Sequence, residues 1–315
     1  MTHGSGGACY RLRVAVGGWS WRWVPLVGAL LVSCGRPSSS TPHEVVPYVL
    51  RWDARSAGLE GRGQSARGQS AWIQDVLASA MTHAQYFRAE GDGERLTARL
   101  RYEERRSDQG HPVLGVYLVI EPDDALAADM DATGGVLDAN VELERRDHTL
   151  DLRRDLPIAV ERALALLDAK VTIARGTAQE VAALLHDEDP EVILVALDGV
   201  ERRRLRSLGD QVHTLLGHAQ ERVAIRAVEC LGVVGGPEHA PGLLRSARLA
   251  DRAHAHRLYE ALANLGGEHA RGFLEFAARN EEDPELASRA ERALARLDDA
   301  DPRPLKAAVA RGHRQ

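Results

Sequence analysis

The chain has 315 residues, 44% of them hydrophobic and 27% charged, a balance that excludes disorder throughout and leaves room for two domains. A net charge of −6 with no long basic run argues against nucleic acid as a partner, because counterion release from phosphates needs a basic surface. Three cysteines, Cys9, Cys34 and Cys230, have no pairable spacing and so predict neither a disulfide framework nor a zinc site.

Arg11, Arg13 and Arg22 precede an apolar run at 23–33. Its length of about 11 residues is too short to span hydrocarbon as a helix and fits the core of a signal peptide. The run ends in Leu31-Val32-Ser33-Cys34, which resembles the lipobox of bacterial lipoproteins. That resemblance implies cleavage between Ser33 and Cys34, acylation of Cys34 and durable membrane attachment through several acyl chains. It divides the N-terminus into a signal peptide at 1–33 and a lipid-anchored tether at 34–43, whose Gly35-Arg36-Pro37-Ser38-Ser39-Ser40 start cannot bury a core. Gly35 is not the aspartate that retains many such lipoproteins in the inner membrane, so the expected address is the outer membrane, facing the periplasm.

Residues 44–154 predict a small α/β domain. A strand is expected at 44–52, with Pro47 tolerable only on an edge. The duplicated Arg62-Gly63-Gln64-Ser65-Ala66 and Arg67-Gly68-Gln69-Ser70-Ala71 point to a solvated loop. Trp72, Val76, Ala80, Ala84 and Phe87 then recur at helical spacing, predicting a helix to about Ala89. Leu96, Ala98, Leu100 and Tyr102 alternate with polar residues as a half-wet strand. The 113–120 segment is apolar at both parities and predicts the central strand, and Leu137 to Leu143 alternate again. The expected order is β-α-β-β-β, which resembles the small α/β domains of envelope lipoproteins, transport-auxiliary ones included. Asp129-Met130-Asp131-Ala132-Thr133-Gly134 matches the first half of a calcium loop. The bidentate glutamate's place holds Asn140, so the segment is expected to be an acidic connection between strands.

Residues 155–300 repeat themselves. Ala196, Ala227, Ala261 and Ala293 are spaced by 31, 34 and 32, with Ile193, Ala224, Leu258 and Ala290 three positions earlier and Val200, Leu231, Leu265 and Leu297 four positions later. These offsets form one helical face, and an all-alanine column implies close approach. Each such helix has a partner marked by Leu184-Leu185, Leu215-Leu216, Leu243-Leu244 or Phe273-Leu274. Asp189-Pro190 and Asp283-Pro284 are helix starts, and glycines after Leu231 and Leu265 are expected helix stops. The pattern is similar to bacterial HEAT-like repeats of the phycobilisome-lyase type over about 125 residues. The resemblance implies an α-solenoid of about four helical hairpins. A helix at 156–174 is expected to cap the array and join it to the α/β domain, and 301–315 to form a C-terminal tail. The predicted fold class is thus α/β plus all-α.

Histidines at 186, 213, 218, 239, 254, 256 and 269 raise the question of a metal. His254 and His256, two apart on a helix, face different ways, and the Glu238-His239 and Glu268-His269 pairs reverse the order used by an iron hydroxylase that this repeat fold resembles. No cofactor or metal is expected. The mature chain holds no nucleophile elbow, phosphate loop, dinucleotide fingerprint or His-Glu-x-x-His, and Cys230 among Val228 and Leu231 is expected to be buried. The expected function is a non-enzymatic, lipid-anchored scaffold that binds a protein partner. The alternatives are an auxiliary subunit of an envelope transport or assembly complex, docking through the α/β domain, and a histidine-dependent enzyme on the array.

Overall fold

The computed structural model describes residues 47–56, 66–133, 135–146, 149–246 and 252–300. The signal peptide, the Ser33–Cys34 cleavage site, the 34–43 tether, the first copy of the duplication up to Ser65 and the 301–315 tail lie outside the described residues.

Strand β1 (Tyr48–Ser56) starts directly after Pro47 and runs four residues beyond its expected end. Helix α1 (Ala66–Ala80) takes in the second copy of the duplication, so the predicted loop is helical there. The helix also stops nine residues before its expected end. Thr82 donates its hydroxyl to the Ser79 carbonyl at 2.7 Å, and the chain turns. The N–H groups of Gln85 and Tyr86, which a continuing helix would use internally, instead donate to the Asp168 carboxylate at 2.6 and 2.9 Å. Phe87 is therefore fully buried in a short strand, β2 (Phe87–Arg88), that adds in parallel to β1.

Strand β3 (Arg95–Arg106) buries Leu96, Ala98, Leu100 and Tyr102, the alternation its sequence predicts. Strand β4 (Pro112–Glu121) lies between β3 and its last neighbour and is covered fully on one side but only in part on the other, where Val113 is buried. Leu114, Val116, Leu118 and Ile120 face the core, whereas Tyr117 is 43% exposed, so the expectation of two buried faces is corrected. The expected acidic connection is helix α2 (Asp124–Ala132), capped by the Asp123 side chain accepting from the Leu126 N–H at 2.6 Å. Strand β5 (Asp138–Glu144) completes a sheet of order β2-β1-β3-β4-β5, in which β1 runs parallel to β2 and β3, and the β3-β4-β5 meander is antiparallel. The predicted β-α-β-β-β order thus lacked β2 and α2.

Helix α3 (Leu152–Arg175) lies across β4 and β5 and packs against α1 and α2. Charged groups fasten it along its whole length. At its start the fully buried Asp155 accepts from Arg145 at 2.6 Å, Arg154 at 2.8 Å and the Asp151 N–H at 2.9 Å. Further along, Asp168 holds the turn after α1, and Lys170 donates to the carbonyls of Val136 and Asp138 at 3.0 and 2.6 Å. At its end Arg175 reaches Asp129 of α2 at 2.7 Å and the Tyr48 hydroxyl of β1.

Four helix pairs follow. They are α4 (Ala178–Leu184) with α5 (Pro190–Arg202), α6 (Gly209–Thr214) with α7 (Glu221–Val234), α8 (Ala240–Ser246) with α9 (Arg252–Leu265), and α10 (Gly267–Asn280) with α11 (Pro284–Ala300). Asp189 and Pro190 start α5 as predicted, the aspartate accepting from the Glu191 N–H at 3.0 Å. Helices α3, α5, α7, α9 and α11 contact one another in succession. Ala196, Ala227, Ala261 and Ala293 are all buried between them.

The glycine stops divide. Gly266 and Gly267 adopt left-handed conformations, φ +75° and +83°, at the end of α9. Gly232 is not a stop, for α7 continues to Val234 and ends at Gly235 with extended backbone. A Cβ on Gly232 would lie 2.9 Å from the Ala261 Cα, so this glycine permits the approach of α7 to α9.

Candidate functional site

Each second helix places charged residues on the rim of its contact with the next. Arg162 of α3 pairs with Asp189 at 2.7 Å, and Arg222 of α7 with Glu191 at 2.8 Å. Arg226 of α7 is held by Asp198 at 2.7 Å, by Glu201, and by Glu229 at 3.2 Å. Glu229 in turn takes Arg257 of α9 at 2.6 Å, and Glu260 takes Arg296 of α11. This ladder went unnoticed in the sequence, although the signal was there: an arginine follows an acid by 31 residues at Glu191/Arg222 and by 28 at both Asp198/Arg226 and Glu229/Arg257, close to the repeat length. Its carboxylates raise the Arg226 pKa further against the opposing effect of burial.

A cleft of about 280 Å³ opens beside the ladder, between α7, α8 and α9. Ile225, Val228, Leu243 and Leu258 give it an apolar lining, and His218, Glu221, His254 and Arg257 supply polar groups. Ala224, small like Ala290 in a column shared with Ile193 and Leu258, lines the cleft and is partly exposed.

The histidines fall into distinct settings. His186 and His269 are exposed. His254 lines the cleft while His256 lies 3.9 Å from Glu260, the divergence expected of residues two apart on a helix. His218 joins His254 at the cleft from the turn before α7. His213 and His239, whose meeting the sequence did not disclose, bring their rings to 5.7 Å. The His239 Nδ1 lies 3.0 Å from the Gly236 N and 3.3 Å from the Gly236 carbonyl oxygen, and its Nε2 lies 3.2 Å from Asp210. Among the described residues no group of three or more His, Cys, Asp or Glu is arranged to hold a metal ion.

Cys230 is fully buried in α7, donating its thiol to the Leu197 carbonyl at 3.5 Å, and burial pushes its pKa up to about 12. The half-matched calcium loop is no loop. Asp129 and Asp131 lie within α2, Asp129 is paired with Arg175, Gly134 lies outside the described residues, and Asn140 stands exposed on β5. Cys34 also lies outside them. Among the described residues no helix is long and apolar enough to cross a membrane.

Comparison with protein families, with curated proteins and with solved structures finds no match to this chain.

Proposed function

We propose that the chain is a lipid-anchored, periplasm-facing scaffold that binds a protein partner on an α-solenoid of four HEAT-like helix pairs, tethered through Cys34. The observation that carries this proposal is a continuous apolar cluster from Ile173 to Leu297 that passes through all four helix pairs. Each pair contributes to it, as expected of units that bury their apolar faces only against neighbours. Helix α11 leaves Glu285, Glu291 and Arg292 exposed. An extended stack offers a long surface for contact, and the cleft beside α7 indents it.

The anchor is tested by Cys34→Ser, which should abolish acylation and release the protein from membranes. Labelled fatty acid retained by that variant would refute the anchor. The scaffold is tested by crosslinking in the native envelope with photoreactive residues at Arg222, Glu260 and Arg292. Capture of one defined partner from these positions is the expected result. Capture only from positions on the exposed sheet face, such as Arg101 and Tyr117, would favour instead an auxiliary subunit that docks through the sheet.

A further inference from the structure

We infer that the open face of the sheet binds a neutral saccharide, at a depression of about 270 Å³ centred on Gly115 and Tyr117 of β4. The site stands apart from the helix pairs and does not depend on how they are used. Cross-strand register sets six residues of β3, β4 and β5 in two rows on this face: Arg101, Tyr117 and Asn140, then Glu103, Gly115 and Glu142. Helix α3 covers the opposite face of β4 and β5, and the five side chains around Gly115 are all exposed. A Cβ at Gly115 would lie 3.3 Å from the Glu103 Cγ, so the glycine keeps open the space between the two glutamates. Beside it Tyr117 is 43% exposed, and among the described residues no second ring or cation stacks on it.

The charges at the depression balance. Arg101 and Arg105 oppose Glu103 and Glu142, and Arg105 pairs with Glu142 at 2.5 Å. Charges farther out are already engaged, Arg99 with Glu121, Glu144 with His111 and Asp138 with Lys170. Arg101, Glu103, Asn140 and the Tyr117 hydroxyl make no hydrogen bond or ion pair among the described residues, and Glu103 acts on Arg105 only through space. A cationic donor, an anionic acceptor and an amide that serves as both thus surround one bare ring. An anion placed there would meet two carboxylates, and a cation two guanidinium groups. A hydroxyl group both donates and accepts, so a neutral polyol can satisfy Glu103 and Arg101 together. A sugar ring adds a face of polarised C–H groups, which the negative face of the Tyr117 ring attracts. Those two features, balanced hydrogen-bonding groups and a central aromatic surface, favour a sugar over other neutral solutes.

Saturation-transfer difference NMR on the full chain carrying Cys34→Ser tests this with maltotriose, cellotriose and tri-N-acetylchitotriose. Glycylglycine serves as a control that carries both charges but no sugar ring. At least one trisaccharide should receive saturation, strongest at the C–H protons of one sugar unit. Tyr117→Ala should weaken that trisaccharide about fivefold or more, whereas Tyr117→Phe, which keeps the ring, should bind close to wild type. Gly115→Val should fill the depression and weaken binding by a similar factor. If Gly115→Val lowers the melting temperature, Arg101→Gln takes its place, since that side chain is exposed and unpaired among the described residues. No transfer to any of the three sugars, affinity unchanged in Tyr117→Ala, or glycylglycine bound as tightly as the best sugar would overturn the inference. So would sedimentation showing a dimer that Tyr117→Ala dissociates, because the face would then belong to a second copy of the chain.

Discussion

The sheet half and the helix-pair half solve the same problem, holding distant segments together, with opposite placements of charge. In the sheet half the decisive charges are withdrawn from solvent on α3: Asp155 is fully buried and Asp168 mostly so, and each ties α3 to backbone or side chains from another segment. In the helix pairs the close contacts are made by alanine and glycine, and charge is confined to a half-exposed ladder along the rim. A sheet half built from unlike segments needs specific polar locks, whereas a repeated unit needs only a contact that can be copied. Substitutions should therefore cost most at the locks of α3, less at the copied alanines, and least on the outer rungs.

The largest effect is expected at Asp155. Two arginines and a backbone N–H hold its carboxyl far below the usual range for an aspartate, Arg154 contributing most. Asp155→Ala leaves Arg145 and Arg154 facing a buried gap, but both are partly exposed, 29% and 48%, and can turn to water. The loss should be about 2–4 kcal/mol by urea unfolding. A depressed folded pKa contributes stability that is present above the unfolded value and is lost as the pH falls through the folded one. The wild-type advantage over Asp155→Ala should thus persist at neutral pH and vanish only in strong acid.

Asp168 should show the opposite slope. Desolvation raises its pKa to about 6, outweighing the lowering by the Gln85 and Tyr86 N–H groups and by Arg88. A raised folded pKa contributes stability that is full below the unfolded value near 4 and is lost as the pH rises through about 6. The span is worth up to about 3 kcal/mol. Comparing urea midpoints of wild type and Asp168→Asn across pH 4 to 7.5, the wild type should lose ground steadily as the pH rises. A flat difference would mean that the two N–H groups and Arg88 offset the desolvation in full and keep the carboxylate ionised.

At the copied contacts, Ala227→Leu adds bulk where α7 meets its neighbours with no exposed surface. The melting temperature should fall by the equivalent of about 1–3 kcal/mol. An unchanged melting temperature would move the alanine column from the interior to the outside of the stack.

This division also accounts for what the sequence disclosed. The helix pairs were legible because their constraint is local and repeated: the alanine column and the doublets recur within about 34 residues. In the sheet half, the even alternation of β3 and β5 was equally plain. The end of α1 was not, because Ala84 and Phe87 keep helical spacing while their conformation is set by Asp168, some 80 residues later. Helix α2 buries only Leu126 and Met130, one i,i+4 pair, too little periodicity to separate it from a loop. Gly232 read as a stop because glycine ends helices and also permits close packing, and only the neighbour Ala261 decides between them. Of the candidate site, nothing in the repeat columns marks the cleft, because its lining comes from a turn and three helices that only folding brings together.

The smallest effects should come from the ladder, and they separate its inner rungs from its outer ones. Arg226 is 23% exposed and shared among three carboxylates, so Arg226→Gln leaves Asp198, Glu201 and Glu229 to repel one another and should cost about 1–2 kcal/mol. Arg222 is 75% exposed and meets one glutamate, so Arg222→Gln should cost less than about 0.5 kcal/mol and nothing measurable at high salt. Urea unfolding of both variants at low and high ionic strength checks the contrast. Equal costs would mean that the rungs act independently of burial, and that the stack is held by its alanine contacts alone.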